Sequence, residues 1–269
     1  MMGVTGALVR QHLREHRLSL LLWASASARA AFAVASTAEA VADPRLLREW
    51  LGQLPEEMQR LLGRVPDYEN AVDCFVSFKW LYLMPLIGAL FGSTGALGVI
   101  ARDVERRTAD FVLSLPVTRA RLLASRFAAL AIGMGSVYLA AYLGLVATLW
   151  AQGMHGSFGR YAAFYAGSWC VALAFAAAAL RLGLGGRGYG AAMRWGVLLA
   201  VGAFLLDVVN RVAAGPREVG WVVLYGLVDA QEVVGRGAFP WGAVLAGLAA
   251  TGLLVGWSSR VFGRMRVAA

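Results

Sequence analysis

Few residues of this 269-residue chain have types and spacings that could do chemistry. Gly183-Leu184-Gly185-Gly186-Arg187-Gly188 satisfies the G-x-G-x-x-G pattern of a dinucleotide-binding turn, and Asp207 stands about 20 residues on, where an acid would meet a ribose. That pattern works only where a strand feeds the turn and a helix leaves it. Here it follows a long apolar run and Asp207 belongs to the next one, so dinucleotide binding is not expected. Lys79 is the one lysine among 25 cationic residues. A phosphate-cradling loop needs Gly-Lys-Ser/Thr, and Ser77-Phe78-Lys79-Trp80 sets no glycine beside the lysine. A Schiff base would need a desolvated lysine, whereas Lys79, near the end of an apolar run, is expected to reach toward lipid headgroups. Cys74, Cys170, His12, His16 and His155 show no metal-ligand spacing, and the cysteines read as small apolar residues. The chain by itself is expected to hold no catalytic residue, metal or cofactor.

What positions these residues must be a membrane bundle. The chain is 59% hydrophobic and 15% charged, with mean hydropathy +0.62. Its apolar runs recur at the roughly 20 residues a bilayer core requires, and helices satisfy their own backbone polar groups in lipid. The expected fold is all-α, a single polytopic transmembrane domain over 1–269. Six spans fall at about 18–41, 75–100, 127–151, 161–182, 191–213 and 240–259. Residues 1–17 set Val4, Leu8 and Leu13 against Arg10, Arg14 and Arg17, as an interfacial helix would. Segment 43–73 is an acidic external insert whose short helices open at Pro44 and Pro55. Segment 216–239, interrupted by Glu218, Asp229, Glu232 and Arg236, suits a broken re-entrant or interfacial hairpin.

A net charge of +9 would suggest nucleic acid in a soluble protein. Here the arginines flank spans, so topology accounts for them and no nucleic-acid partner is expected. The N-terminus, the 101–126 loop, the 181–194 loop and the C-terminal tail together hold fifteen arginines against eight on the opposite side, where acids roughly cancel them. Both termini are therefore expected in the cytoplasm and the 43–73 insert outside.

The 101–126 loop carries six of these arginines. Glu105-Arg106-Arg107-Thr108 gives a charged start, Phe111, Val112, Leu113 and Leu115 give an apolar face, and Pro116 breaks the helix before Thr118 caps the next. A helix, a break and a basic helix at the membrane surface suit a docking element for a cytoplasmic partner. They equally suit a surface hairpin whose arginines meet anionic lipid.

The order Glu105, Arg106, Thr108, Leu113 to Leu115, Pro116, Thr118-Arg119 and Arg126 resembles the cytoplasmic loop of ABC-2 type permeases, the membrane subunits of bacterial ABC exporters. The interfacial helix, six spans, external insert and broken hairpin resemble that family's plan as well. Two positions depart from its pattern: Arg107 stands where relatives tend to have glycine, and Arg126 where many have lysine. The resemblance implies that this loop holds a coupling helix seated in a groove of a separate cytoplasmic P-loop ATPase, which carries the ATP and Mg. Glu105, Arg106, Thr108, Leu113, Leu115, Pro116 and Arg119 would be its contact and turn residues. It further implies a second permease copy, identical or related, a bacterial plasma-membrane location and export as the direction.

Arg29 and Asp207 sit deepest in the spans, where a charge costs about 2.5–3.5 kcal/mol. Each either lines a polar pathway or is neutralised locally, Arg29 by an acid on a neighbouring helix and Asp207 by Arg211 near the interface. Gly88, Gly92 and Gly95 in span two, and Gly252 and Gly256 in span six, permit close helix approach within the chain or between subunits. Trp80, Trp150, Trp195 and Trp241 are expected to anchor span ends. Two rival functions remain at this stage. A proton- or ion-coupled carrier would show internal repeats and midplane acids, and no repeat is evident. An intramembrane enzyme would need a His inside the spans or clustered acids at one surface.

Overall fold

A computed structural model describes residues 2–38, 49, 52–62, 68–98, 118–184 and 189–264. Among them the protein is helical and contains no strand. The helices are α1 (Met2–Glu15), α2 (Arg17–Ser36), α3 (Glu56–Leu62), α4 (Ala71–Lys79), α5 (Met84–Gly98), α6 (Arg119–Ala151), α7 (Phe158–Gly183), α8 (Tyr189–Val212), α9 (Arg217–Val222) and α10 (Trp241–Arg264). Six helical stretches are long and apolar enough to cross a membrane: Arg17–Ser36, Ala71–Leu97, Arg119–Ala151, Phe158–Gly183, Gly190–Val212 and Trp241–Gly263.

Successive spans reverse direction. Gln152, just past α6, donates to the Ser36 carbonyl at the end of α2 (3.4 Å), and Asp73 near the start of α4 accepts from Ser157 at the start of α7. At the opposite end, the Arg119 guanidinium opening α6 lies 6.0 Å from the ring centroid of Phe262 near the end of α10. α7 is the central span, packed by α5, α6, α8 and α10. The most apolar window of α7 is 78% buried, against 17% in both α2 and α10, so the first and sixth spans face outward.

Local chemistry sets the breaks. Thr118 caps α6, its hydroxyl accepting from the Arg121 N–H (3.3 Å), and Asn70 caps α4 by accepting from the Asp73 N–H (2.7 Å). α8 closes with Ala214 at φ 51°, where the Gly215 N–H donates to the Asn210 carbonyl (2.8 Å).

Span two departs from the sequence expectation in two ways. Its helix starts at Ala71 rather than near Phe75, which draws Asp73 out of the expected polar insert and into the bundle, fully buried. It is also interrupted. Pro85 cannot donate to the Leu81 carbonyl, so the Met84 N–H does so instead in a tight turn over Leu81–Leu83. The turn swings Trp80 inward, to 4% exposure, and its indole N–H donates to the Tyr165 hydroxyl (2.6 Å). Trp80 is therefore a core residue and not an interfacial anchor, while Trp150, Trp195 and Trp241 are exposed.

The small residues divide. Side chains built on Gly88, Gly92 and Gly95 would run into Tyr138, Met134 and Leu130 of α6, so this stripe packs within the chain. Gly252 and Gly256 have nothing within 4 Å of an added side chain.

Candidate functional site

The charged groups that the fold gathers lie at the end of the bundle where α4, α7 and α10 begin and α8 ends. Arg211 is the hub. Its Nε donates to Asp207 Oδ2 (2.8 Å) one turn earlier on α8, and its Nη1 donates to Asp229 Oδ2 in the segment between α9 and α10. Asp229 Oδ1 in turn accepts from the Gln231 N–H (2.7 Å), which opens a π-helical turn over Gln231–Gly235. That turn is held from the other side by Arg160 of α7, which donates to the carbonyls of Val234 (2.9 Å) and Gly235 (3.2 Å) and pairs with Glu69.

Beneath this network, Asp73 ties α4 to α7. It accepts from the Ser157 N–H (2.9 Å), the Ser157 hydroxyl (2.6 Å), the Asn70 amide (3.0 Å) and the Tyr161 hydroxyl. Tyr225 lies against the network and donates to the Ala200 carbonyl (3.2 Å). Burial, with the Asp207 charge nearby, holds its hydroxyl well above the usual phenol range, so it stays a neutral donor. Ser77 and Tyr82 face a cavity of about 20 Å³ behind the network, their hydroxyls unpaired among the described residues.

Two glycines let the segment fold over Asp207. A side chain on Gly226 would come within 2.6 Å of the Gly220 backbone, and one on Gly220 within 2.9 Å of Asp207 Oδ1. The segment crosses itself backbone on backbone above a 2%-exposed carboxylate.

Of the residues singled out from sequence, the structure brings Asp207 and Arg211 together and adds Asp229. Arg29 is exposed on α2 and takes no ion pair among the described residues. Lys79 is exposed too, its ammonium 5.7 Å from the Phe78 ring centroid. Arg119 is the first residue of α6. Glu105, Arg106, Thr108, Leu113, Leu115 and Pro116 lie outside the described residues, as do most of 43–73 and the glycine run at 185–188. Sequence reasoning missed Asp73, Arg160 and Asp229 as structural groups. Asn70-x-x-Asp73 is a capping spacing that could have marked the start of α4, but nothing in the sequence links Asp73 to Ser157 or Arg160 to residues 234 and 235. Among the described residues, no three His, Cys, Asp or Glu side chains converge on a metal position.

Six apolar helices of alternating direction, one of them central and largely buried, define a polytopic membrane protein. The chain belongs to the ABC-2 family transporter proteins, whose pattern matches residues 7–209, from α1 through most of α8. It is thus a permease of an ABC-type transporter, a transport subunit and not itself an enzyme. No curated protein matches the chain.

Proposed function

We propose that this chain forms the translocation pathway of an ATP-driven exporter in the bacterial plasma membrane, paired with a second copy or a related chain. Its 101–126 loop docks a separate cytoplasmic P-loop ATPase that carries the ATP and Mg. The observation that carries this reading is family membership, with the loop placed between the second and third spans. Arg119 at the start of α6 and Arg181 at the end of α7 share the end of the bundle at which α10 finishes, and the positive-inside rule assigns that arginine-rich end to the cytoplasm.

Glu105, Arg106 and Thr108 supply polar contacts to the ATPase, Leu113 and Leu115 the apolar ones, Pro116 the break, and Arg119 the positive start of span three. ATP binding draws two ATPase subunits together, the docked loops move with them, and the spans switch access from one side to the other. Arg29 faces the pathway at the seam between two copies, because an exposed charge within a span is costly against lipid. Asp207, held by Arg211, closes the outer end.

Reversing charge in the loop tests the reading. With the ATPase co-expressed, Glu105→Lys and Arg106→Glu each lower permease-dependent ATP hydrolysis at least about tenfold, as loss of a buried interfacial charge pair does, while the chain's yield and helicity hold. Hydrolysis at the wild-type level in both variants would overturn it.

A further inference from the structure

The end of the bundle that carries the Asp207–Arg211–Asp229 network also carries an open cleft of about 680 Å³, between the end of α8, the segment after α9 and the start of α10. Small-molecule sites typically enclose about 300–1,000 Å³. The floor of this one holds a buried carboxylate with one oxygen uncommitted. Asp207 Oδ2 is engaged by Arg211, whereas Oδ1 takes no hydrogen bond among the described residues and lies under the Gly220–Gly226 crossing.

The walls are aromatic and half-exposed. Trp221 is 50% exposed, Phe239 45% and Trp241 63%, and the last two rings lie 4.5 Å apart by centroid. Charge in the lining is unbalanced, with three carboxylates (Asp207, Asp229, Glu232) against two guanidiniums (Arg211, Arg236). Aromatic faces are electron-rich and attract cations, most strongly where water is excluded. An anion would meet those same faces and an excess of carboxylate.

We propose that this cleft binds an organic cation with an apolar body, its charge directed at Asp207 Oδ1 and its body against Trp221, Phe239 and Trp241. The chemistry is that of an ammonium or phosphonium carrying apolar groups. An amine-bearing lipid headgroup and a free amphiphilic cation both present it. The inference goes beyond the transport reading and does not depend on it, since none of these residues lies in the 101–126 loop and most lie past the family match at 209.

The test is saturable binding to the purified full-length chain in maltoside micelles, read by equilibrium dialysis with empty micelles subtracted. The probes are tetraphenylphosphonium and tetraphenylborate, alike in size and shape and opposite in charge. The cation is expected to occupy one site about tenfold more tightly than the anion, and Asp207→Asn and Trp241→Ala each to weaken it several-fold. Should Asp207→Asn fail to fold, Trp241→Ala decides alone, because that ring is largely outside the core. Displacement of the cation by phosphatidylethanolamine but not phosphatidylglycerol would identify the source as a headgroup. No displacement by either would identify it as a free amphiphile, and both outcomes support the site. Absence of saturable binding, anion binding as tight as cation binding, or wild-type affinity in the folded variants would overturn it.

Discussion

Asp73→Ala will destabilise the protein by about 3 kcal/mol, more than any substitution at its exposed acids, because it strands four donors at once, the fully buried Tyr161 hydroxyl and three half-buried groups. The carboxylate is 0% exposed and is the shared acceptor for the Ser157 N–H, the Ser157 hydroxyl, the Asn70 amide and the Tyr161 hydroxyl. Each buried group left without a partner costs about 1–3 kcal/mol, and relaxation toward the nearby end of the bundle recovers part of the sum. Asp73→Asn keeps one acceptor oxygen and is expected to lose roughly half as much. Tyr161→Phe removes a single donor and leaves the other three paired, so its cost is about 1 kcal/mol. Thermal unfolding in a mild detergent, followed by circular dichroism, ranks the three variants. An Asp73→Ala protein that melts with the wild type would show that this carboxylate does not join α4 to α7.

The second large effect is at the crossing of α7 and α10. A methyl group on Gly247 would stand 2.6 Å from the Cys170 carbonyl oxygen and 2.7 Å from its carbon. Those are backbone atoms of the central span, so no rotamer change relieves the overlap and the two helices must separate. Gly247→Ala is expected to cost about 1–3 kcal/mol, the range for overpacking a filled core, and Gly247→Leu to abolish a monodisperse folded species in size-exclusion chromatography. Gly252→Ala is the internal control. It lies on the same helix, has nothing within 4 Å of an added side chain, and is expected to change stability by less than about 0.5 kcal/mol. Equal melting of the Gly247→Ala and Gly252→Ala proteins would contradict the close approach.

The six spans were legible because lipid imposes one requirement, a continuous apolar helix of fixed minimum length, and each of these runs meets it without help from distant residues. The cap at Thr118 was legible for the same local reason. Trp80 read as an interfacial anchor because nothing local marks its inward turn, and the Tyr165 hydroxyl that receives the indole lies 85 positions away. Asp73 misled for a related reason. Beside an acidic stretch it reads as solvent-facing, and only its partners on α7, 84 to 88 positions on, make a buried carboxylate tolerable. Asp207 with Arg211 was visible as a one-turn pair, while Asp229 joined it only through the fold of the segment that follows. Arg29 remained ambiguous because a sequence shows that a charge lies in a span and not which way that face of the helix turns.

The central claim, that this permease works with a separate ATPase, is tested most directly by extracting the tagged chain from its native membranes in a mild detergent and identifying by mass spectrometry what stays bound. A P-loop ATPase in stoichiometric amount, released when Glu105 and Arg106 are reversed in charge, is the expected result. A folded chain that emerges with no ATPase attached would contradict it.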